Sequence, residues 1–188
     1  MYKICHTEES ANRQRALEQG LLAMMQSQPY GKITLTELCG WLRVPRKSFY
    51  RYFPTKDDCL LALIDHTLSD CNTAALTAWE GDRELKEIQL QRFFSYWLEQ
   101  RVFLDAIRDN DLTYLLLDRT TVIVDRIKEK GASGEFARDQ VEYFVAHGLM
   151  TTVLRWHSHG FQSTPGEMAE VFSRLLHSPD INVNKLML

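Results

Sequence analysis

Residues 33–62 read ITLTELCGWLRVPRKSFYRYFPTKDDCLLA, and the fold turns on this stretch. Thr34-Leu35-Thr36-Glu37 has the spacing of a capping box: the Thr34 hydroxyl accepts from the Glu37 amide while the Glu37 carboxylate returns to the cap. A helix therefore starts at Thr34. Leu35, Leu38 and Leu42 give it one apolar face, and Arg43 and Val44 make a turn. Pro45 suits the first position of the next helix, where its missing N–H would have no partner anyway. Pro54 stops the chain again. Between the two prolines, Phe49 and Phe53 lie one turn apart and face inward, which leaves Arg46, Lys47, Ser48, Tyr50 and Arg51 outward. Two short helices around a tight turn, the second basic outside and aromatic inside, describe a helix-turn-helix suited to a DNA major groove.

Charge supports the same region. Arg43, Arg46, Lys47, Arg51 and Lys56 fall within Arg43 to Lys56 with no acid among them, and Tyr50 and Tyr52 are interleaved. Such a segment suits a polyanion, because cations gain by releasing the counterions condensed on phosphates; on charge alone a merely solvated basic face is the competing reading. Residues 1–56 hold nine Lys and Arg against four Glu, a balance of +5, which leaves −8 of the overall −3 for residues 57–188.

Outside this stretch, glycine and proline punctuate the chain at Pro29 with Gly31, Gly81, Gly131 with Gly134, Gly160 with Pro165 and Gly166, and Pro179. Between these breaks the apolar spacing is helical, as in Leu60, Ile64, Leu68, Cys71, Ala75 and Trp79, or Leu90, Phe93, Phe94, Trp97 and Leu98. No alternating strand pattern occurs. The pattern predicts an all-α protein of about nine helices, roughly 9–27, 34–42, 46–52, 56–79, 83–101, 102–109, 112–130, 135–159 and 165–178. With 188 residues, 45% hydrophobic and 25% charged, the chain is long enough for a real core and unlike a disordered or collagenous one. It has no apolar run of the roughly 18 residues a membrane-spanning helix needs, and Met1 to Ser10 lacks the apolar stretch of a signal peptide. A soluble protein that stays where it was made is expected. Cys5, Cys39, Cys59 and Cys71 are too irregularly spaced for a zinc ribbon and read as reduced thiols. Cys5 and His6 fall in an arm expected to lack fixed structure.

Thr34 opening the second helix, Leu38 and the small Cys39 at the helix contact, Val44 after the turn, the Phe49-Tyr50 pair, Phe53, and Lys56 opening a long fourth helix together resemble the DNA-binding domain of TetR-type transcriptional regulators. Tyr143 to Phe161, YFVAHGLMTTVLRWHSHGF, followed by Pro165 to Ala169, is similar to the C-terminal domain of one branch of that family. The resemblance implies a three-helix DNA-binding domain at 1–56 and a helical effector-binding and dimerisation domain at 57–188. It implies a homodimer on a near-palindromic double-stranded operator in the bacterial cytoplasm, nucleoid-associated when bound. The expected activity is repression, relieved by a small apolar or aromatic effector. A co-activator or adaptor responding to a protein partner is the alternative. By the same resemblance Arg46, Lys47 and Ser48 face base edges, Thr34, Tyr50, Tyr52 and Lys56 bind phosphates, and Arg51 does either. Two positions depart from the family pattern: Arg43 stands where the turn usually has Gly, and Pro45 where the recognition helix usually has a Ser cap.

Residues 57–188 hold 13 of the 20 aromatic residues. Phe93, Phe94, Trp97, Phe103 and Tyr114 are the candidate lining of an effector pocket, with the core as an equally good reading for each. Val145, Gly148, Leu149, Thr152 and Trp156, with Val141 and Val153, form a stripe on the eighth helix; Met168 and Phe172, with Val171 and Leu175, form one on the ninth. Gly148 is costly in mid-helix by about 1 kcal/mol, so these stripes are the candidate dimer interface, with burial inside the monomer as the alternative. His157 and His159 point their rings about 200° apart on a helix, which suits no single ion, so no metal or other cofactor is expected. No phosphate loop, nucleophile elbow or zinc-protease helix is present, and an enzyme is not expected.

Overall fold

A computed structural model of the chain describes residues 2–75, 83–129 and 136–177. These form nine α-helices and no strand among the described residues: α1 (Glu8–Met25), α2 (Leu35–Trp41), α3 (Arg46–Tyr50), α4 (Lys56–Ala75), α5 (Arg83–Glu99), α6 (Arg101–Asp109), α7 (Thr113–Glu129), α8 (Phe136–Ser158) and α9 (Pro165–His177). The all-α class follows the 3.6-residue periodicity of the sequence. A 3₁₀ turn at Tyr30–Lys32, which the sequence marks only as a break, precedes α2. The predicted end of the fourth helix at 76–79, the breaks at Gly81, Gly131 and Gly134, Pro179, and the side chain of Val141 lie outside the described residues.

Several helix starts have a local cause. Thr7 accepts from the Ser10 amide at 3.3 Å, with Glu8 and Glu9 in the positive first turn of α1. Thr55 caps α4 by accepting from the Asp58 amide at 3.0 Å. Thr164 forms with Glu167 a box like that of Thr34 and Glu37, with Pro165 at the first helical position of α9.

Two compact units divide the chain, Met1–Ser69 with Val102–Thr151, and Asp70–Arg101 with Thr152–Leu188. In the first, Leu21, Leu38, Phe49, Phe53, Leu63, Ile64, Leu104 and Leu116 are fully or almost fully buried. Each contributes about 1.5–3 kcal/mol by leaving water. Gly20 lets α1 approach the end of α2: a Cβ there would stand 2.4 Å from Leu42 Cδ2. The amino-terminal arm, expected to lack fixed structure, is packed instead: Cys5 Sγ donates to Gln14 Oε1 at 2.9 Å and accepts from Ser10 Oγ at 3.2 Å. No apolar period announces this, because polar groups do the docking.

In the second unit α5 and α9 pack along each other, and the buried Phe94 meets Trp156 at 5.7 Å and Phe172 at 5.6 Å between ring centroids. Past α8 the chain turns through Gly160 and Phe161, both with positive φ (73° and 58°). Phe161 holds this uncommon conformation with its ring edge-on to Trp156 at 4.6 Å and the Arg101 guanidinium 4.8 Å above it.

Candidate nucleic-acid interface

The turn between α2 and α3 is built from backbone geometry. The Arg43 amide donates to the Gly40 carbonyl at 3.1 Å and the Val44 amide to the Cys39 carbonyl at 3.0 Å, the paired bonds of a Schellman motif. That motif needs a left-handed residue after the helix, and Arg43 supplies it at φ 54° at a cost of roughly 1–2 kcal/mol relative to Gly. The turn thus keeps the shape a glycine would give, with an exposed cation in its place. Pro45 occupies the N-cap of α3 with extended backbone and no side-chain acceptor, so α3 starts without a cap bond. At α2 the capping box is complete: Glu37 N–H donates to Thr34 Oγ1 at 3.2 Å and Thr34 N–H to Glu37 Oε2 at 2.9 Å. The Thr34 hydroxyl, donating to Glu37 Oε2 at 2.7 Å, and then the Thr34 amide hold the Glu37 carboxyl below its ordinary range.

Phe49 and Phe53 are fully buried, 5.3 Å apart between ring centroids. Their burial orients the short helix and leaves Arg46, Lys47, Tyr50 and Arg51 exposed, with Ser48 half-buried and Thr34 exposed on α2. Arg46 and Tyr50, one turn apart, are tied: Arg46 Nη2 donates to the Tyr50 hydroxyl at 3.1 Å, which raises the guanidinium pKa further above its usual value. Tyr52 is different. It is buried, its ring against Phe53.

Lys56 also has occupied donors. Its Nζ donates to the Tyr30 and Ile33 carbonyls, both at 2.7 Å, and lies 4.0 Å from the Tyr30 ring centroid. Partial burial lowers its pKa. The Tyr30 hydroxyl donates to Asp57, and burial together with that bond raises the phenol pKa. The Tyr30 amide in turn donates to Asn110 Oδ1 at the end of α6. Sequence reading placed neither Tyr30 nor Asn110, since a polar contact between residues so far apart leaves no local signal.

The chain shares its fold with the dihydroxyacetone kinase operon activator DhaS. The two superpose with a TM-score of 0.56 at 16% identity, over 87% of this chain and 93% of that one. No family model matches the sequence, and no curated protein matches it.

Phe93, Phe94 and Trp97 come together in the interior of the second unit, Phe93 edge-on to both neighbours at 5.2 and 6.4 Å. Phe103, buried, and Tyr114, 69% exposed, belong to the first unit. An open cleft of about 440 Å³ lies on the other face of α5, lined by Ala74, Ile88, Gln91, Arg92, Ser95, Tyr96 and Glu99. On α8, Gly148 is exposed with open space where a Cβ would stand, Val145 and Thr152 are half-buried, and Leu149, Val153 and Trp156 are buried. On α9, Met168 and Phe172 are half-buried, while Val171 and Leu175 are exposed. Arg119, unassigned from sequence, grips the buried Asp65 with two bonds of 2.6 Å. Among the described residues no group of three His, Cys, Asp or Glu side chains is arranged to hold a metal ion.

Proposed function

We propose that this chain is a TetR-type, sequence-specific DNA-binding transcription regulator. The observation that carries the reading is α3 itself: a short helix seated by two buried phenylalanines, presenting Arg46, Lys47, Tyr50 and Arg51 on one exposed face after a Schellman turn. Arg46, Lys47 and Ser48 lie at its start, where side chains meet base edges; Arg or Lys to guanine is the commonest specific pairing. Tyr50, Arg51 and Thr34 flank them and serve phosphates, which fix register without reading sequence. Tyr52 and Lys56 hold this face from behind, because one is buried and the other has two donors committed to carbonyls. The head spans residues 1–56.

The working unit we propose is a cytoplasmic homodimer on a near-palindromic operator, joined through α8 and α9, where Gly148 leaves room for a second backbone. Among the described residues no helix is long and apolar enough to cross a membrane. The proposed activity is repression, relieved by a small apolar or aromatic effector with higher affinity for the DNA-free state, since equal affinity would shift nothing. A protein-responsive co-activator is the second reading. It is favoured by the packing of Phe93, Phe94 and Trp97 against one another as core, and by the name of DhaS as an operon activator.

Selection of bound duplexes from random double-stranded DNA tests the reading. A recovered near-palindrome with two half-sites about one helical turn apart is the expected result; recovery of no preferred sequence overturns it. Thermal shift against a metabolite panel then separates the two modes, because a ligand that binds only the folded state raises the melting temperature.

A further inference from the structure

The amino-terminal segment runs across the head and uses its main chain to do so. The Lys3 amide donates to the Tyr52 carbonyl at 3.0 Å, and the Lys3 carbonyl accepts from Gln14 Nε2 of α1 at 3.1 Å. Both polar groups of one backbone residue thereby join the turn that ends α3 to α1. One residue earlier the Tyr2 hydroxyl donates to Asp65 Oδ2 of α4 at 2.6 Å, and its ring stands edge-on to His66 at 5.7 Å. Asp65 is 1% exposed and carries the two Arg119 bonds from α7. His66 Nδ1 lies 2.9 Å from the buried Glu18 carboxylate on α1. A continuous run of bonds therefore leads from α7 through Arg119, Asp65, Tyr2 and Lys3 to the end of α3.

A helix of five residues without a side-chain cap has little stability of its own, so its pose depends on what grips its two ends. Its start is fixed by the Arg43 turn. Lys3 attaches two residues beyond the helix end, at Tyr52, next to the buried Phe53. We propose that residues 2–5 form a strap that sets the pose of α3, with Tyr2 and Lys3 as positioning residues for DNA recognition. The proposal rests on the DNA-binding reading above. It differs from a basic arm that enters a groove, because Lys3 acts through its amide and its exposed side chain takes no part.

The test uses the full chain, the duplex recovered by selection, and hydrogen exchange on the free protein. In the wild type the Lys3 amide is expected to exchange as slowly as the amides of α1. Tyr2→Phe keeps the ring and removes one bond; it should speed exchange at residues 46–53 relative to α5 and weaken operator binding by about 5-fold or more at unchanged salt slope. Lys3→Gln keeps the amide and should leave exchange and affinity at wild-type levels. The strap is overturned by rapid exchange at Lys3 in the wild type, by unchanged exchange at 46–53 in Tyr2→Phe, or by a salt slope about 1 lower in Lys3→Gln, the mark of a phosphate contact. Arg46→Ala is the control for the underlying reading. If Arg46→Ala binds like the wild type while Tyr2→Phe still loosens 46–53, DNA recognition by α3 is wrong and the mechanical strap stands.

Discussion

Helices α3 and α5 carry the same kind of aromatic spacing and mean different things. In α3 and the turn after it, Phe49 and Phe53 are buried; in α5, Phe94 and Trp97 are buried as completely. The difference lies on the opposite faces. Behind Phe49 stand Arg46, Lys47 and Arg51 with no acid, whereas behind Phe94 stand Gln91, Arg92, Ser95, Tyr96 and Glu99, a mixed set along a cleft. Aromatic residues at helical spacing report packing in both places, and only the uniform sign of the α3 face supports the proposed nucleic-acid partner.

The comparison breaks most visibly if the aromatic residues of α5 are not core. Phe94→Ala and Trp97→Ala should each cost about 3–5 kcal/mol in chemical denaturation, a large share of the roughly 5–15 kcal/mol that holds an ordinary domain folded. A Trp97→Ala protein of near wild-type stability whose DNA binding no longer responds to a ligand would return that side chain to an effector pocket.

Next in size is Lys56, the cation of the basic segment most engaged inside the fold. Lys56→Ala removes two charge-assisted bonds to carbonyls and should lower stability by roughly 2–3 kcal/mol, with affinity falling as a consequence. Should the variant melt like the wild type and lose about 1 from its salt slope, the ammonium serves a phosphate, as the resemblance implied.

For the exposed face itself, Arg46→Ala and Lys47→Ala should leave unfolding nearly unchanged. Each should relax preference at one operator position at a cost of roughly 1–3 kcal/mol, read by titration against single-base variants of the selected duplex. Equal losses on specific and random duplexes would move these residues from base edges to phosphates.

What sequence reading reached, and what it missed, follows from the range of each interaction. The α2 start was legible because Thr34 and Glu37 are three residues apart, and the helices because apolar periodicity repeats within one element. The strain at Arg43 was legible as a non-glycine residue in a turn. The Tyr2–Asp65, Tyr30–Asn110 and Asp65–Arg119 bonds join residues 63, 80 and 54 apart, and each is polar. Polar residues at such separations look like ordinary surface until the fold brings them together. The expected phosphate roles of Tyr52 and Lys56 came from motif position alone, which carries no information on whether a side chain is already occupied.

The smallest expected effect isolates function from structure most cleanly, because the same capping box opens two of the described helices. Thr34 with Glu37 opens α2 in the first unit, and Thr164 with Glu167 opens α9 in the second, with Thr-to-Glu amide–carboxylate distances of 2.9 and 2.7 Å. Both carboxylates are exposed and both have lowered pKa values through their threonine partners. A carboxylate lowered on folding contributes stability that is present above its unfolded value of 4.5 and is lost as the pH falls through the folded value. Both helix starts should therefore loosen together in acid, below that window and not at neutral pH. Thr34→Ala and Thr164→Ala should likewise each cost about 1 kcal/mol of stability, the ordinary worth of a threonine cap. Only Thr34 stands at the proposed DNA face, so Thr34→Ala alone should also weaken operator binding, by more than its Thr164→Ala counterpart at matched stability. Equal effects of the two variants on DNA binding would reduce Thr34 to a cap like any other and remove α2 from the phosphate contacts.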